Sequence, residues 1–307
     1  MSYDVSIIIV NYHTSGQILN CLESIFRVTG QINYELIIVD NNSEPQIESL
    51  LTSKIGYPLS SHLRVISLPE NVGFGRANNE GAKIAGGRNL FFLNPDTLLL
   101  NDAVKILSDF LDSQPRAGAC GGNLYDKAKR PTFSFRRVLP GVFWELDELF
   151  NTIPQRIRYG KNRFFNSSGK ILEVGYIVGA DLMIKSHVFR QVGGFRNDFF
   201  MYYEETDLCA AIRRLGLKIY NVPSAHIIHL EGGSFGEKEE FPKTHKIDYV
   251  ETGRFIYYRH NSSFIIRNIS HFIYSLYLES RILMIRDEKK RDYYRKRKEY
   301  FLKNKKA

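Results

Sequence analysis

Val5-Ser6-Ile7-Ile8-Ile9-Val10 is an unbroken apolar run, rich in β-branched residues, that ends at Asn11-Tyr12. A strand with one wet face would alternate polar and apolar residues, so a continuous run predicts a strand buried on both faces of a sheet. Glu35-Leu36-Ile37-Ile38-Val39, Leu63-Arg64-Val65-Ile66-Ser67-Leu68 and Asn89-Leu90-Phe91-Phe92-Leu93 repeat the pattern. Between the first two runs, Ile18, Leu19, Leu22, Ile25 and Phe26 recur at steps of three and four, the mark of an amphipathic helix. Gly75 to Ala85 reads as another helix. Strand-helix alternation of this kind predicts an α/β fold, with a mostly parallel, doubly wound sheet and right-handed crossovers. Residues 1–100 therefore read as a nucleotide-binding half.

The pattern changes after a helix near Asp102 to Leu111 and a short strand at Ala117 to Gly122. Lys127 to Phe165 is basic, aromatic and poorly periodic, and is expected to be a long loop or lid. Ile171 to Lys185 resumes the apolar pattern, interrupted at Gly179-Ala180, and a short helix follows at Ser186 to Val192. Glu205 to Leu215 reads as a helix with Leu208, Ile212 and Leu215 on one face, stopped by Gly216. A strand at Leu217 to Val222 and the run Ala225 to His229 complete a domain over 1–240, of which 101–240 is the second half. Residues 241–307 read as a separate aromatic and basic helical extension.

With 307 residues and 43% hydrophobic content, the chain can build a packed core. The net charge of +9 is concentrated from Arg281 onward, where twelve Lys or Arg face four acids. Met1-Ser2-Tyr3-Asp4 lacks the basic start of a signal peptide, and Val5 to Val10 is too short to cross a bilayer, so a cytoplasmic protein is expected. Cys21, Cys120 and Cys209 are odd in number and widely spaced, which predicts buried thiols rather than a disulfide framework or a CxxC metal pair. No RNP-type or zinc-finger pattern accompanies the basic tail, and nucleic acid is not an expected partner.

Four constellations fall at predicted strand exits or helix starts. Asn94-Pro95-Asp96-Thr97 follows a strand, where ligands of open α/β sheets collect; Asp96 is placed to hold a divalent cation, or closes a solvated turn. Asn11-Tyr12 and Asp40-Asn41-Asn42-Ser43 follow the first two strands, so Tyr12 could stack on a base and Asp40 could accept from a base or ribose, or close an Asx turn. In Glu70-Asn71-Val72-Gly73-Phe74-Gly75-Arg76-Ala77-Asn78-Asn79 the glycines would let backbone approach a phosphate at a helix start, with Arg76 as a phosphate candidate or a surface residue. Asn78 breaks the GxGxxG pattern, which disfavours a nicotinamide enzyme. Glu204, Glu205 and Asp207 crowd a helix start among aromatics, where carboxylates raise one another's pKa and suit a general base. His229 ends a strand before Glu231-Gly232-Gly233-Ser234, as a metal or phosphate ligand or a hydrogen-bonded strand residue.

In this order, together with Gly179-Ala180-Asp181-Leu182-Met183, these motifs resemble family 2 glycosyltransferases of the rhamnosyltransferase-like branch, over roughly residues 4 to 236. The resemblance implies a GT-A fold and an inverting, metal-dependent transfer from a nucleotide-sugar donor. It assigns Asn11, Tyr12 and Asp40 to the base and ribose, and Gly179, Ala180 and Asp181 to the loop beside the donor sugar. Asp96 corresponds to the surviving acid of the DxD-type motif and would hold Mg²⁺ or Mn²⁺, with Asn94 where that motif often has its first acid. Glu205 matches the catalytic base, with Asp207 the alternative, and His229 matches the histidine that completes the metal or phosphate site. The implied donor is dTDP-rhamnose, with UDP-galactofuranose among the alternatives. The acceptor would be a saccharide or lipid-linked saccharide in cell-surface polysaccharide synthesis.

The extension points two ways. Its aromatic residues beside a basic cluster fit a helix lying on an anionic membrane surface through residues 254–307, making the protein peripheral on the inner face of the cell membrane. The alternative is a helical extension packed on the body or on a second subunit, which would make a homo-oligomer. A catalytically silent, membrane-associated scaffold is the rival to an enzyme, because Asn94 and Glu205 depart from the usual residues at two central positions.

Overall fold

A computed structural model describes residues 3–55, 62–230 and 244–306. In chain order it contains β1 (Tyr3–Asn11), α1 (Ser15–Val28), β2 (Tyr34–Asp40), α2 (Ile47–Ile55), β3 (Leu63–Ser67), α3 (Phe74–Ile84), β4 (Gly87–Leu93), β5 (Thr97–Leu99), α4 (Ala103–Ser113) and β6 (Ala117–Tyr125). There follow β7 (Phe135–Arg136), α5 (Val142–Leu149), α6 (Ile153–Tyr159), β8 (Leu172–Val174), β9 (Tyr176–Ile177), β10 (Asp181–Lys185), α7 (Ser186–Gln191), α8 (Glu204–Arg214) and β11 (Lys218–His229). Three helices close the chain: α9 (Thr244–Asn261), α10 (Phe264–Met284) and α11 (Glu288–Lys306).

Among the described residues the strands form a nine-stranded sheet in the order β3-β2-β1-β4-β10-β6-β11-β5, with β8 also paired to β11. β3, β2, β1 and β4 run parallel, as the unbroken apolar runs predict. Along β1, Ile7 and Ile9 face the layer of α1, α2 and α4, while Ile8 and Val10 face the layer of α3, α7 and α8. Both faces are therefore covered, which is why no polar alternation survives in the sequence. α3 rides close to the sheet: a Cβ at Gly81 would lie 2.7 Å from Ile8 Cγ2 and 3.1 Å from Val39 Cγ2.

Beyond β4 the sheet becomes mixed. β10 is antiparallel to both β4 and β6, whereas β11 is parallel to β6 and antiparallel to β5 and β8. The two predicted segments Leu217 to Val222 and Ala225 to His229 form one strand, with a register shift between Asn221 and His226. Residues 127–165, expected to be a loop or lid, instead hold β7, α5 and α6. The Arg136 guanidinium lies 4.2 Å from the Trp144 ring and 4.5 Å from the Phe164 ring and pairs with Glu148 at 2.9 Å. Order built on stacked cations and buried charges leaves no apolar period to read.

The terminal helices pack on the body. α9 lies against α8, α10 against α5, and α11 against α9 and α10. Tyr274, Tyr277, Leu278 and Phe301 form a small core with Leu149, Phe255 and Tyr294. Arg254 on α9 pairs with Glu145 on α5, which also accepts from the Tyr258 hydroxyl. Among the described residues no helix is long and apolar enough to cross a membrane. All three cysteines are free and buried.

Candidate active site

A cavity of about 550 Å³ opens at the carboxyl ends of the parallel strands, where such sheets collect their ligands. Tyr12 and Asn41 stand at the exits of β1 and β2, and Asn94, Pro95 and Asp96 at the exit of β4. Val178, Gly179 and Ala180 form another wall, fixed to β4 where the Asn94 amide donates to the Ala180 carbonyl at 3.0 Å. Phe200, Met201, Tyr202, Glu204 and Glu205 come from the start of α8, and His245, Lys246 and Tyr249 from the first turns of α9.

The β4 exit is the polar end. The short strand β5 pairs with β11 in a register that sets His229 opposite Thr97. That register brings His229 Nε2 within 3.4 Å of Asp96 Oδ1 and 3.4 Å of Asn94 Nδ2. Asn94 Oδ1 is buried with no hydrogen-bond partner. Among the described residues no cluster of three or more His, Cys, Asp or Glu could hold a metal alone. One carboxylate, one imidazole and one unpaired amide oxygen do fit a hard cation that draws its remaining ligands from a bound phosphate.

The α8 start is the titratable end. Tyr202 and Tyr203 have φ of 70° and 72°, a left-handed conformation unusual for bulky residues. Contacts on both sides hold the turn: the Phe74 amide donates to the Phe200 carbonyl at 3.0 Å, and Tyr203 packs on Tyr257 with ring centroids 5.9 Å apart. Gly73, at φ 89°, permits that approach, since a Cβ there would lie 2.2 Å from the Phe200 oxygen. The turn delivers two consecutive glutamates to the cavity. Burial raises Glu204 well above the usual carboxylate range, helped by the neighbouring Glu205 charge. Burial also raises Glu205, to about 7, against the opposing effect of backbone amides. Such a group can take a proton near neutral pH.

Eight residues singled out by sequence line this cavity: Tyr12, Asn94, Asp96, Gly179, Ala180, Glu204, Glu205 and His229. The other five lie outside it. Asn11 donates to Ser43 Oγ at 3.0 Å and accepts from the Thr14 hydroxyl at 2.9 Å. Asp40 accepts from the amides of Ser43 and Ile47 at 3.0 and 2.8 Å, which ties the loop after β2 to the first residue of α2. Arg76 turns away to donate to the Asn197 carbonyl at 2.8 Å; of the adjoining glycines, Gly73 admits the Phe200 backbone and Gly75 the Phe195 and Glu204 side chains. Asp181 accepts from the Gly122 amide at 2.6 Å, and burial raises its carboxyl well above the usual range. Asp207 is held by Arg196 at 3.0 Å and Asn261 at 2.6 Å.

Several lining residues escaped assignment. Asn41 and Asn71 lie inside recognised motifs, and only the structure shows Asn41 Nδ2 donating to Asn71 Oδ1 at 2.8 Å, which ties two rim loops together. Phe74, Phe200, Met201 and Tyr202 supply apolar wall. His245, Lys246 and Tyr249 carry no local motif; they reach the cavity because α9 folds back over α8, placing Tyr249 4.8 Å from the Phe200 ring. Glu231 to Ser234 lie outside the described residues.

Comparisons with known proteins agree on the class. The family model described as Glycosyl transferase family 2 matches residues 6–177, more than half of the chain. The N-acetylglucosaminyl-diphospho-decaprenol L-rhamnosyltransferase of Mycobacterium tuberculosis (strain ATCC 25618 / H37Rv) is 26% identical over 238 residues, covering 70% of this chain and 73% of that protein. Rhamnosyltransferase WbbL of Escherichia coli (strain K12) is 25% identical over 234 residues, 73% of this chain and 83% of that one. Among solved structures, GalNAc-T7 with UDP, GalNAc and Mn²⁺ aligns with a TM-score of 0.58 at 14% identity, over 84% of this chain. This chain spans half of that neighbour's length.

Proposed function

The chain belongs to glycosyl transferase family 2, and we propose that it moves a sugar from a nucleoside diphosphate donor to an acceptor hydroxyl with inversion at the anomeric carbon. The observation that carries this reading is the sharing of one cavity by Glu205, a carboxylate raised to about 7, and by the Asp96–His229 pair.

In this reading Glu205 removes the proton from the acceptor hydroxyl. The freed oxygen attacks the anomeric carbon from the face opposite the diphosphate, the carbon–oxygen bond to the diphosphate breaks, and its electrons leave with that group. A positioned base contributes about 10² to 10⁴ in rate. Tyr12 stacks on the nucleotide base, Asn41 holds Asn71 at the rim, and Lys246 supplies positive charge toward the leaving diphosphate. Asp96 with His229 and the Asn94 oxygen would hold Mg²⁺ or Mn²⁺ together with the diphosphate, and that ion would neutralise charge on the departing oxygens as a Lewis acid. Asn11, Asp40, Asp181 and Asp207 act through position: they fix the loops that carry the lining residues.

Rhamnose from dTDP-rhamnose is the preferred donor, supported by the rhamnosyltransferases among the relatives. The acceptor is a saccharide or lipid-linked saccharide of cell-surface polysaccharide synthesis, supported by a relative named for a diphospho-decaprenol substrate. The reaction would take place on the cytoplasmic side, at the inner face of the membrane. A thermal-shift panel of nucleotide-sugars with and without Mn²⁺ tests the donor class. A Mn²⁺-dependent rise in melting temperature with dTDP-rhamnose above that with other nucleotide-sugars is expected. No shift with any nucleotide-sugar would overturn the reading.

A further inference from the structure

α10 turns Ser270, His271, Ile273, Tyr274, Tyr277 and Leu278 inward. With about 100° between successive residues, Ile265, Ile269, Phe272, Leu276 and Leu283 fall within an arc of about 60° on the opposite face, a stripe about 27 Å long. All five are exposed, Phe272 by 63% and Leu283 by 81%. The outer face of a helix packed on a protein body is normally polar, so this helix is apolar on the side where water should be.

A second element beside the end of α10 also exposes apolar side chains. Near the end of α10, Arg281 donates to Asn151 Oδ1 and to the Glu148 carbonyl, which sets that end against the α5–α6 turn. Phe150, Ile153 and Ile157 are exposed there, with Ile153 and Ile157 one helical turn apart. Single exposed apolar residues are ordinary, whereas eight concentrated on two touching elements are not.

Charge selects the partner. Residues 150–171 carry five Arg or Lys and no acid, and α10 with the residue pair after it carries Arg267, Arg281 and Arg286 against Glu279. Glu279 is itself paired with Lys298. We propose that the outer stripe of α10 and the α5–α6 tip together seat on an anionic lipid surface, with the apolar side chains in the acyl boundary and the flanking arginines at the lipid phosphates. A second copy of the chain would oppose two positive rims across a two-fold axis. The contact differs from one made by the basic tail: on α11, Phe301 is buried, Arg297 pairs with Glu251, and Arg291, Arg295 and Lys296 pair with acids of their own helix.

The proposal stands on this surface and not on the transfer reaction, and flotation reads it without turnover. The full chain is floated with equimolar phosphatidylcholine–phosphatidylglycerol vesicles and with phosphatidylcholine alone. Wild type is expected to float with the anionic vesicles, the double variant Ile269→Ser/Phe272→Ser to lose roughly tenfold or more of its bound fraction, and Ile157→Ser, on the separate element, to lose severalfold. Unchanged thermal midpoints establish that the variants are folded. Flotation of both variants at the wild-type level, or absence of wild-type flotation on anionic vesicles, would overturn the proposal. So would a concentration-dependent dimer in sedimentation that the same substitutions dissolve.

Discussion

His229 Nε2 lies 3.4 Å from Asp96 Oδ1 because the three-residue strand β5 pairs with the end of β11. Residues more than a hundred positions apart are joined at the exit of β4, and Asn94 contributes an amide where a second acid would strengthen a cation site. A site with one carboxylate should bind its metal mainly in company with a diphosphate. Loss of a residue that merely orients a ligand costs roughly ten- to hundredfold in metal affinity, so Asp96→Asn should weaken Mn²⁺-dependent nucleoside diphosphate binding at least that much. Calorimetric titration of the nucleotide at several Mn²⁺ concentrations checks this; unchanged Mn²⁺ dependence would remove Asp96 from the metal site.

Glu204 and Glu205 both have raised carboxyl pKa values through burial. The folded protein therefore keeps protons that the unfolded chain releases from about pH 4.5 upward, so burial of these acids removes stability as pH rises from there, for Glu205 until about pH 7. Glu205→Gln removes its share of that penalty. Its melting temperature should gain on wild type between pH 5 and pH 8, and a constant difference across that range would contradict the shift.

Asp207 is 2% exposed and bonded to Arg196 and Asn261. Asp207→Asn should lower stability by about 1–3 kcal/mol through the weakened ion pair, while turnover stays near wild type once the protein is saturated with donor. Urea unfolding and donor turnover measured on the same preparation separate the two effects. A steep loss of turnover without loss of stability would move the base to Asp207.

The Arg254–Glu145 pair joins α9 to α5 with both side chains nearly inaccessible, at 3% and 0% exposure. Arg254→Met should cost about 3–5 kcal/mol by leaving a buried carboxylate unpaired, and adding Glu145→Leu should return much of it. Denaturant midpoints of the single and double variants test this directly, and a double variant no more stable than Arg254→Met would contradict it.

Periodicity carries the parallel half of the fold because β1, β2 and β4 are sealed on both faces, and burial of that kind leaves unbroken apolar runs. It fails between 127 and 165, where Arg136 stacked on Trp144 and Phe164 supplies the order. Family resemblance reaches Asp96, Glu205 and His229, which line the cavity. It also points to Asn11, Asp40 and Asp181, whose polar atoms are used inside the protein to shape the loops. A strand-exit position makes a residue a candidate without fixing whether its side chain faces the cavity or the wall. Lys246 and Tyr249 were illegible for a different reason: only the folding of α9 back over α8 brings them to the site.

The proton-accepting role of Glu205 is tested most directly by donor hydrolysis, in which water replaces the acceptor and needs the same base. With Mn²⁺ and saturating nucleotide-sugar, Glu205→Gln should hydrolyse the donor about 10² to 10⁴ times more slowly than wild type, while nucleotide affinity by calorimetry stays unchanged. Hydrolysis at the wild-type rate would contradict the assignment.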